Sequence, residues 1–407
     1  MLGLALEGGG AKGAYQFGAW KAFRELGMEF DGITGTSIGA LNGALMIQND
    51  YEKAYEIWHE IAPEKILNVD SKLYNMIMET GIKPDQIQFI LEQAQRFVKD
   101  AGLDIGPLVK MIREGTKEDL IRKSKKDFGF VTVSLTDLKP LELFKEEVPE
   151  GKMADYLLAS SYLPIFKPEK IDGKTFLDGG FYNNLPINML YQKGYRKVVA
   201  VRLMSKGRIK KVNFKDLEVT YIQPKHDLGN ILDLSKEKAL FNINLGYYDT
   251  LKVFQNLYGE NYYLIDGIND REGIDFFQGL KPETIEKISN LLGLHGTLPK
   301  KRLVFEELVP KLIQLLGCRQ EVSYGEIVLK LLEEIAAYEN VELFKIYSLQ
   351  EFIREINNRE VTMKKSTDSL FLSSALLLRF NKDKILEKMI KIMLTSEKKF
   401  HINNGSK

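Results

Sequence analysis

The chain has 407 residues, of which 44% are hydrophobic and 28% charged, an ordinary globular composition with length enough for two domains or one domain and an appendage. Its 57 basic and 56 acidic side chains give a formal net charge of +1, so bulk charge gives no reason to expect nucleic acid or a strongly anionic partner. Cys318 is the only cysteine, which excludes an intrachain disulfide and a cysteine metal site and fits a reducing compartment. No apolar run approaches the roughly 20 residues that span a bilayer. The glycine-rich loop at Gly8 precedes any room for a signal-peptide core, so a cytoplasmic chain, at most peripheral to a membrane, is expected.

In chain order, residues 2–6 form a nearly continuous apolar run, the pattern of a buried parallel strand. A loop, Gly8-Gly-Gly-Ala-Lys-Gly13, leads into a helix that carries Phe17, Trp20, Phe23 and Leu26 on one face and stops at Gly27. A second strand runs over 30–36, and a small-residue helix follows over 38–48. This βαβα order predicts a mainly parallel sheet with right-handed crossovers. Helical clusters at 51–61, 84–100 and 106–125 suggest a cap or side layer. Strands are expected at 128–134 and 140–144, and a helix at 153–161. A hairpin turns at Asp172-Gly173, a type I′ signal, before Asp178-Gly179-Gly180. Strands at 197–203 and 219–222 complete the sheet. Helices then fill 234–258, 281–293, 301–317, 324–337, 348–357 and 382–396, with a boundary near residue 260 and no marked linker.

Two motifs carry chemistry. Gly8-x-Gly10-x-x-Gly13 has dinucleotide spacing, but the acidic residue belongs at the end of the second strand. Here Asp31 opens that strand and Thr36-Ser37 ends it. A P-loop fails as well, because Ala14-Tyr15 follows Gly13. What survives is a set of bare N–H donors at a helix N-terminus, suited to a developing negative charge. The second motif, Gly35-x-Ser37-x-Gly39, is a nucleophile-elbow pattern between strand and helix; the plainer reading is a packing turn with Ser37 as helix cap.

A serine needs a base. The order Ser37, Asp178, His226 would suit a triad, although His226 lies in a polar loop segment; His59, His295 and His401 are the other histidines. Alternatively Asp178, desolvated at a strand end beside small residues, could itself accept the proton.

Taken together, these blocks resemble the patatin-like phospholipases: Gly8 to Gly13 is similar to their oxyanion loop, Gly35 to Gly39 to their elbow and Asp178-Gly179-Gly180 to their Asp-Gly-Gly motif. Ala159-Ser-Ser-Tyr-Leu-Pro164 resembles a fourth block between them. The resemblance implies a three-layer α/β/α fold with a mainly parallel sheet. It also implies a Ser37–Asp178 dyad without histidine, an oxyanion hole from Gly8, Gly9 and Gly10, and Lys12, Gly13, Gly35, Gly39, Gly179 and Gly180 as supporting positions. Hydrolysis of lipid esters, phospholipids foremost, through an acyl-enzyme follows, with no cofactor or metal and with lipid at a membrane or micelle surface as the partner. A Ser–Asp–His esterase on small esters and a silent lipid-binding protein are the alternatives. The expected division is a catalytic domain over 1–260, with its core motifs in 2–190, and a helical region over 261–407. The basic amphipathic stretch 382–394 could lie on a membrane or pack on its own protein.

Overall fold

The computed structural model describes residues 1–68, 74, 103–167, 170–294, 298–319, 321–358, 374–397 and 399–402. The helix expected at 84–100 and His295 lie outside the described residues. The chain divides into two compact units, Met1–Val253 and Phe254–Lys407.

In the first unit the strands are β1 (Leu2–Leu6), β2 (Gly32–Thr36), β3 (Asp127–Ser134), β4 (Lys139–Phe144), β5 (Phe176–Asp178), β6 (Lys197–Val201) and β7 (Glu218–Ile222). The helices that concern the site are α1 (Ala14–Glu25), α2 (Ile38–Ile47), α3 (Tyr51–His59), α4 (Gly106–Gly115), α5 (Met153–Ser160), α6 (Ile187–Gln192) and α7 (Lys236–Phe254). The sheet order is β4-β3-β2-β1-β6-β7. Strands β3, β2, β1, β6 and β7 run parallel, while β4 is an antiparallel edge on β3.

β1 sits at the centre and is buried on both faces, which is why its apolar run does not alternate. On one face Ala5, Val198 and Ala200 pack with Ile187 and Leu190 of α6. On the other, Leu6, Ile33 and Phe128 surround Gly43 of α2, and α5 lies against β3 beside it. Helices therefore cover both faces, the three-layer arrangement that the strand–helix order requires. α1 buries Phe17, Trp20 and Phe23, and the chain turns at Gly27 with φ +66°.

One detail of the sheet decides where the site forms. β2 pairs with β3 only as far as Thr36 opposite Val131. At the next rung the place beside β3 is taken by β5, running the other way, with Asp178 opposite Thr132. The turn before β5 holds Asp172 and Gly173 at φ +50° and +76°, as a type I′ turn demands.

The second unit is helical, with the expected helices found at Pro282–Leu291, Val309–Leu316, Tyr324–Tyr338, Leu349–Asn357 and Ser374–Glu397. It adds a helix at Asp270–Gly279 and a parallel pair of two-residue strands, Tyr263–Leu264 and Ile346–Tyr347, that the sequence did not announce. Met389, Ile390 and Met393 are buried in this unit's core, so the apolar face of the 382–394 stretch packs on protein.

Candidate active site

Ser37 follows β2 directly and precedes α2, at φ +55° and ψ −126°. A non-glycine residue in that region is strained by about 1–3 kcal/mol and is held there only by its surroundings. The restraint is visible. The Ser37 N–H donates to Ser160 Oγ at 3.0 Å, and Ser160 donates in turn to the Val131 carbonyl at 2.6 Å. Gly39 lets the turn close: a Cβ there would stand 2.4 Å from the Leu6 carbonyl oxygen, and one on Gly35 would stand 2.3 Å from that of Gly39. The Ser37 side chain makes no helix-capping bond; it lines the same cavity as Asp178 and lies close enough to pull that carboxyl's pKa down. The plain capping role therefore does not describe it.

Asp178 is 4% exposed and accepts the Gly180 N–H at 2.7 Å. Burial, which disfavours the charged form, pushes its pKa up to about 6, against the opposing pull of the nearby Ser37 hydroxyl and of the Gly180 N–H. Gly179 passes so close to β3 that a Cβ would lie 2.2 Å from the Val131 carbonyl oxygen.

The glycine loop lies against the same point. Its three expected donors are not equivalent, because the Gly8 N–H donates to the Asn184 carbonyl at 3.0 Å. The Asn184 amide also donates to the Gly8 carbonyl at 3.1 Å, clamping the loop from both sides. This removes Gly8 from the set of free donors. Gly9 and Gly10 make no N–H bond to any described acceptor. Gly10, at φ +55° and with a Cβ position 2.2 Å from the Ile231 carbonyl oxygen, tolerates no side chain.

Behind the loop, Glu7 is fully buried and accepts from Arg202 Nε and the Leu203 N–H, both at 2.7 Å. Gly13 packs against Ile38 and Trp58. Lys12 is partly buried, which lowers its pKa, while Asp227 and Glu7 pull it back up.

Two cavities meet at Ser37 and share Gly10, Leu163 and Ile231. The narrower, about 130 Å³, is apolar and runs between α2, α3, α4 and α5, past Leu41, Ala44, Trp58, Leu108, Ile112 and Leu157. The described part of the 50–127 stretch thus forms its wall. The roomier, about 830 Å³, holds Asp178, Asn184, Lys12, Lys206, Arg208 and Asp227.

His226 and His59 lie elsewhere. His226 meets Phe241 edge-on at 6.1 Å between ring centroids, and His59 stacks on Tyr55 at 3.7 Å. Neither lines either cavity. Asn184, Ser160 and Arg202 were not singled out by sequence reasoning. Only Ser160 left a trace there, as part of a block without a role.

The family model described as patatin-like phospholipase matches residues 4–191. Over 218 residues the chain is 29% identical to a patatin-like phospholipase domain-containing protein of Caenorhabditis elegans, covering 53% of this chain and 14% of that one. It is 26% identical to the neuropathy target esterase sws of Drosophila melanogaster over 223 residues, with the same 53% and 14% coverage. The chain therefore spans about 14% of the length of these relatives. VipD from Legionella pneumophila aligns with a TM-score of 0.38 and 13% identity over 97% of this chain and 84% of that chain, too slight a likeness to build on.

Proposed function

With residues 4–191 a patatin-like phospholipase domain, we propose that the chain is a serine acyl hydrolase that cleaves lipid esters, phospholipids among them, through a Ser37–Asp178 dyad. The observation that carries this reading is Ser37, on its strained turn, sharing one cavity with a buried Asp178 whose pKa stands near 6. A carboxylate at that value is a stronger base than an ordinary aspartate and is still largely ionised at pH 7.

In the proposed reaction the Ser37 oxygen attacks the ester carbonyl while its proton passes to Asp178. The carbonyl oxygen gains the negative charge and is met by the Gly9 and Gly10 N–H groups; one lost donor of this kind costs roughly 3–4 kcal/mol in a hydrolase transition state. The carbon–oxygen bond to the alcohol then breaks, and the alcohol leaves with the proton from Asp178. Water enters, gives a proton to Asp178 and attacks the acyl-enzyme. Fatty acid departs and the proton returns to Ser37. The acyl chain would occupy the apolar cavity, and the alcohol the polar one. The setting proposed is cytoplasmic, at a membrane or micelle surface, and no described helix is long and apolar enough to cross a membrane.

The test is fluorophosphonate labelling, followed by assays of Ser37→Ala, Asp178→Asn and His226→Ala on phospholipid vesicles and on a short-chain ester. Labelling is expected at Ser37 alone, with activity abolished in the first variant, lowered about 10²–10⁴-fold in the second and kept in the third. Full activity in Asp178→Asn would sink the dyad. Loss in a folded His226→Ala would favour a histidine-containing triad. An unlabelled wild type would point to a silent lipid-binding protein.

A further inference from the structure

The loop after β6 carries both paired and unpaired cations. Arg202 is paired with Glu7 and Lys210 with Glu142 at 2.8 Å, whereas Lys206 and Arg208, which line the roomier cavity, have no ion pair or side-chain hydrogen bond to a described residue. Among the cavity's other charges, Asp178 accepts the Gly180 N–H, and Asp227 is drawn to Lys12. In a chain whose total charge is nearly balanced, two uncompensated cations on one rim are a local feature.

The same rim carries two large apolar side chains in solvent. Phe181 is 51% and Met204 54% exposed, and both line that cavity. Met204 is held at φ +48°, a conformation uncommon for residues with a side chain. An apolar side chain flanked by cations is the composition that enters the interface of an anionic bilayer, with the rings and thioether in the acyl boundary and the charges among the head groups. The backbone ties this rim to the chemistry: the Arg208 N–H donates to the Gly180 carbonyl at 2.9 Å, and its carbonyl accepts the Asn184 N–H at 2.6 Å.

We propose that Phe181, Met204, Lys206 and Arg208 form the docking surface through which the chain settles on an anionic lipid surface, with the mouth above Ser37 facing the head groups. The acyl-hydrolase reading supplies the reason for a mouth at that place; the binding itself can be tested without it.

The probe is cosedimentation of Ser37→Ala protein with vesicles of phosphatidylcholine alone and with about one third phosphatidylglycerol. Tighter binding to the anionic vesicles is expected, weakening with salt. Lys206→Glu and Arg208→Glu should each lower that affinity by roughly fivefold or more, since a basic residue near an anionic surface contributes about that factor. Phe181→Trp reports depth: Trp20 and Trp58 are buried, so an exposed third tryptophan should shift to the blue only when anionic vesicles are added. Equal binding to both vesicle types, no loss on double charge reversal in a protein with unchanged circular dichroism, or sedimentation without the blue shift would each overturn the proposal. An inert Ser37 toward fluorophosphonate would defeat the hydrolase reading and leave these results standing.

Discussion

Ser160 holds Ser37 by its backbone: its hydroxyl accepts the Ser37 N–H at 3.0 Å and donates to the Val131 carbonyl at 2.6 Å. The bond fixes the strained residue without touching its hydroxyl oxygen, the proposed nucleophile. Ser160→Ala leaves a buried donor and a buried acceptor unmet, and should lower stability by about 1–3 kcal/mol. It should also lower kcat more than it alters KM, because the nucleophile loses its aim. Ser160→Thr keeps the hydroxyl and should restore kcat. Urea unfolding beside steady-state kinetics checks both; a kcat that tracks stability alone would reduce Ser160 to a packing residue.

Asp178 sets activity against stability. Its folded pKa, about 6, lies above the ordinary 3.8, so the native state prefers the neutral carboxyl. That contribution is fully present below about pH 3.8 and is lost as pH rises through about 6. By then ionisation has cost the fold about 3 kcal/mol, from roughly two pKa units. Asp178→Asn, neutral at every pH, should match wild type in stability near pH 4 and exceed it above pH 6. Its activity should fall by about 10²–10⁴-fold. Thermal unfolding of both proteins across pH 4–8 measures the divergence; parallel curves would refute it.

In the proposed dyad the base form of Asp178 is the active one, so kcat/KM should rise with pH and level off above a midpoint near 6. In His226→Ala the midpoint should stay in place, because His226 packs against Phe241 and not on the dyad. A pH–rate profile on a soluble ester decides this. A limb that vanishes with the histidine would transfer the role to it.

Ala44 lines the apolar cavity from α2, seven residues beyond Ser37 and hence roughly 10 Å along the helix. Ala44→Phe should obstruct that depth, lowering kcat/KM for long-chain esters by tenfold or more while acetyl and butyl esters change little. A chain-length series of p-nitrophenyl esters reads the result, and a uniform fall across the series would place the acyl chain elsewhere.

The parts of the site that obey local rules were legible in the sequence. β1 announces itself by an unbroken apolar run, and the elbow by Gly35 and Gly39, whose Cβ positions fall on backbone atoms. Asp172-Gly173 marked the hairpin because its φ values admit few other residues. What local pattern cannot carry is competition for a hydrogen bond. Nothing near Gly8 says that Asn184 will claim its N–H, and nothing near Ser160 says that Ser37 will lean on it. The stretch at 382–394 was ambiguous for another reason: one amphipathic face serves a bilayer or a core equally well, and only the neighbours of Met389 and Ile390 resolve it. Two-residue strands such as Tyr263–Leu264 are too short for any period to show.

The three-residue strand β5 takes its place one rung beyond β2 and, among the strands, pairs only with β3. In chain order β1, β2 and β3, with Ser37 between them, precede Asp178, so the proposed nucleophile and its proposed proton acceptor come from separate parts of the sheet. On the proposed dyad, hydrolytic competence then waits on the docking of this hairpin, and a product of synthesis or proteolysis that ends before it would carry the serine without its base.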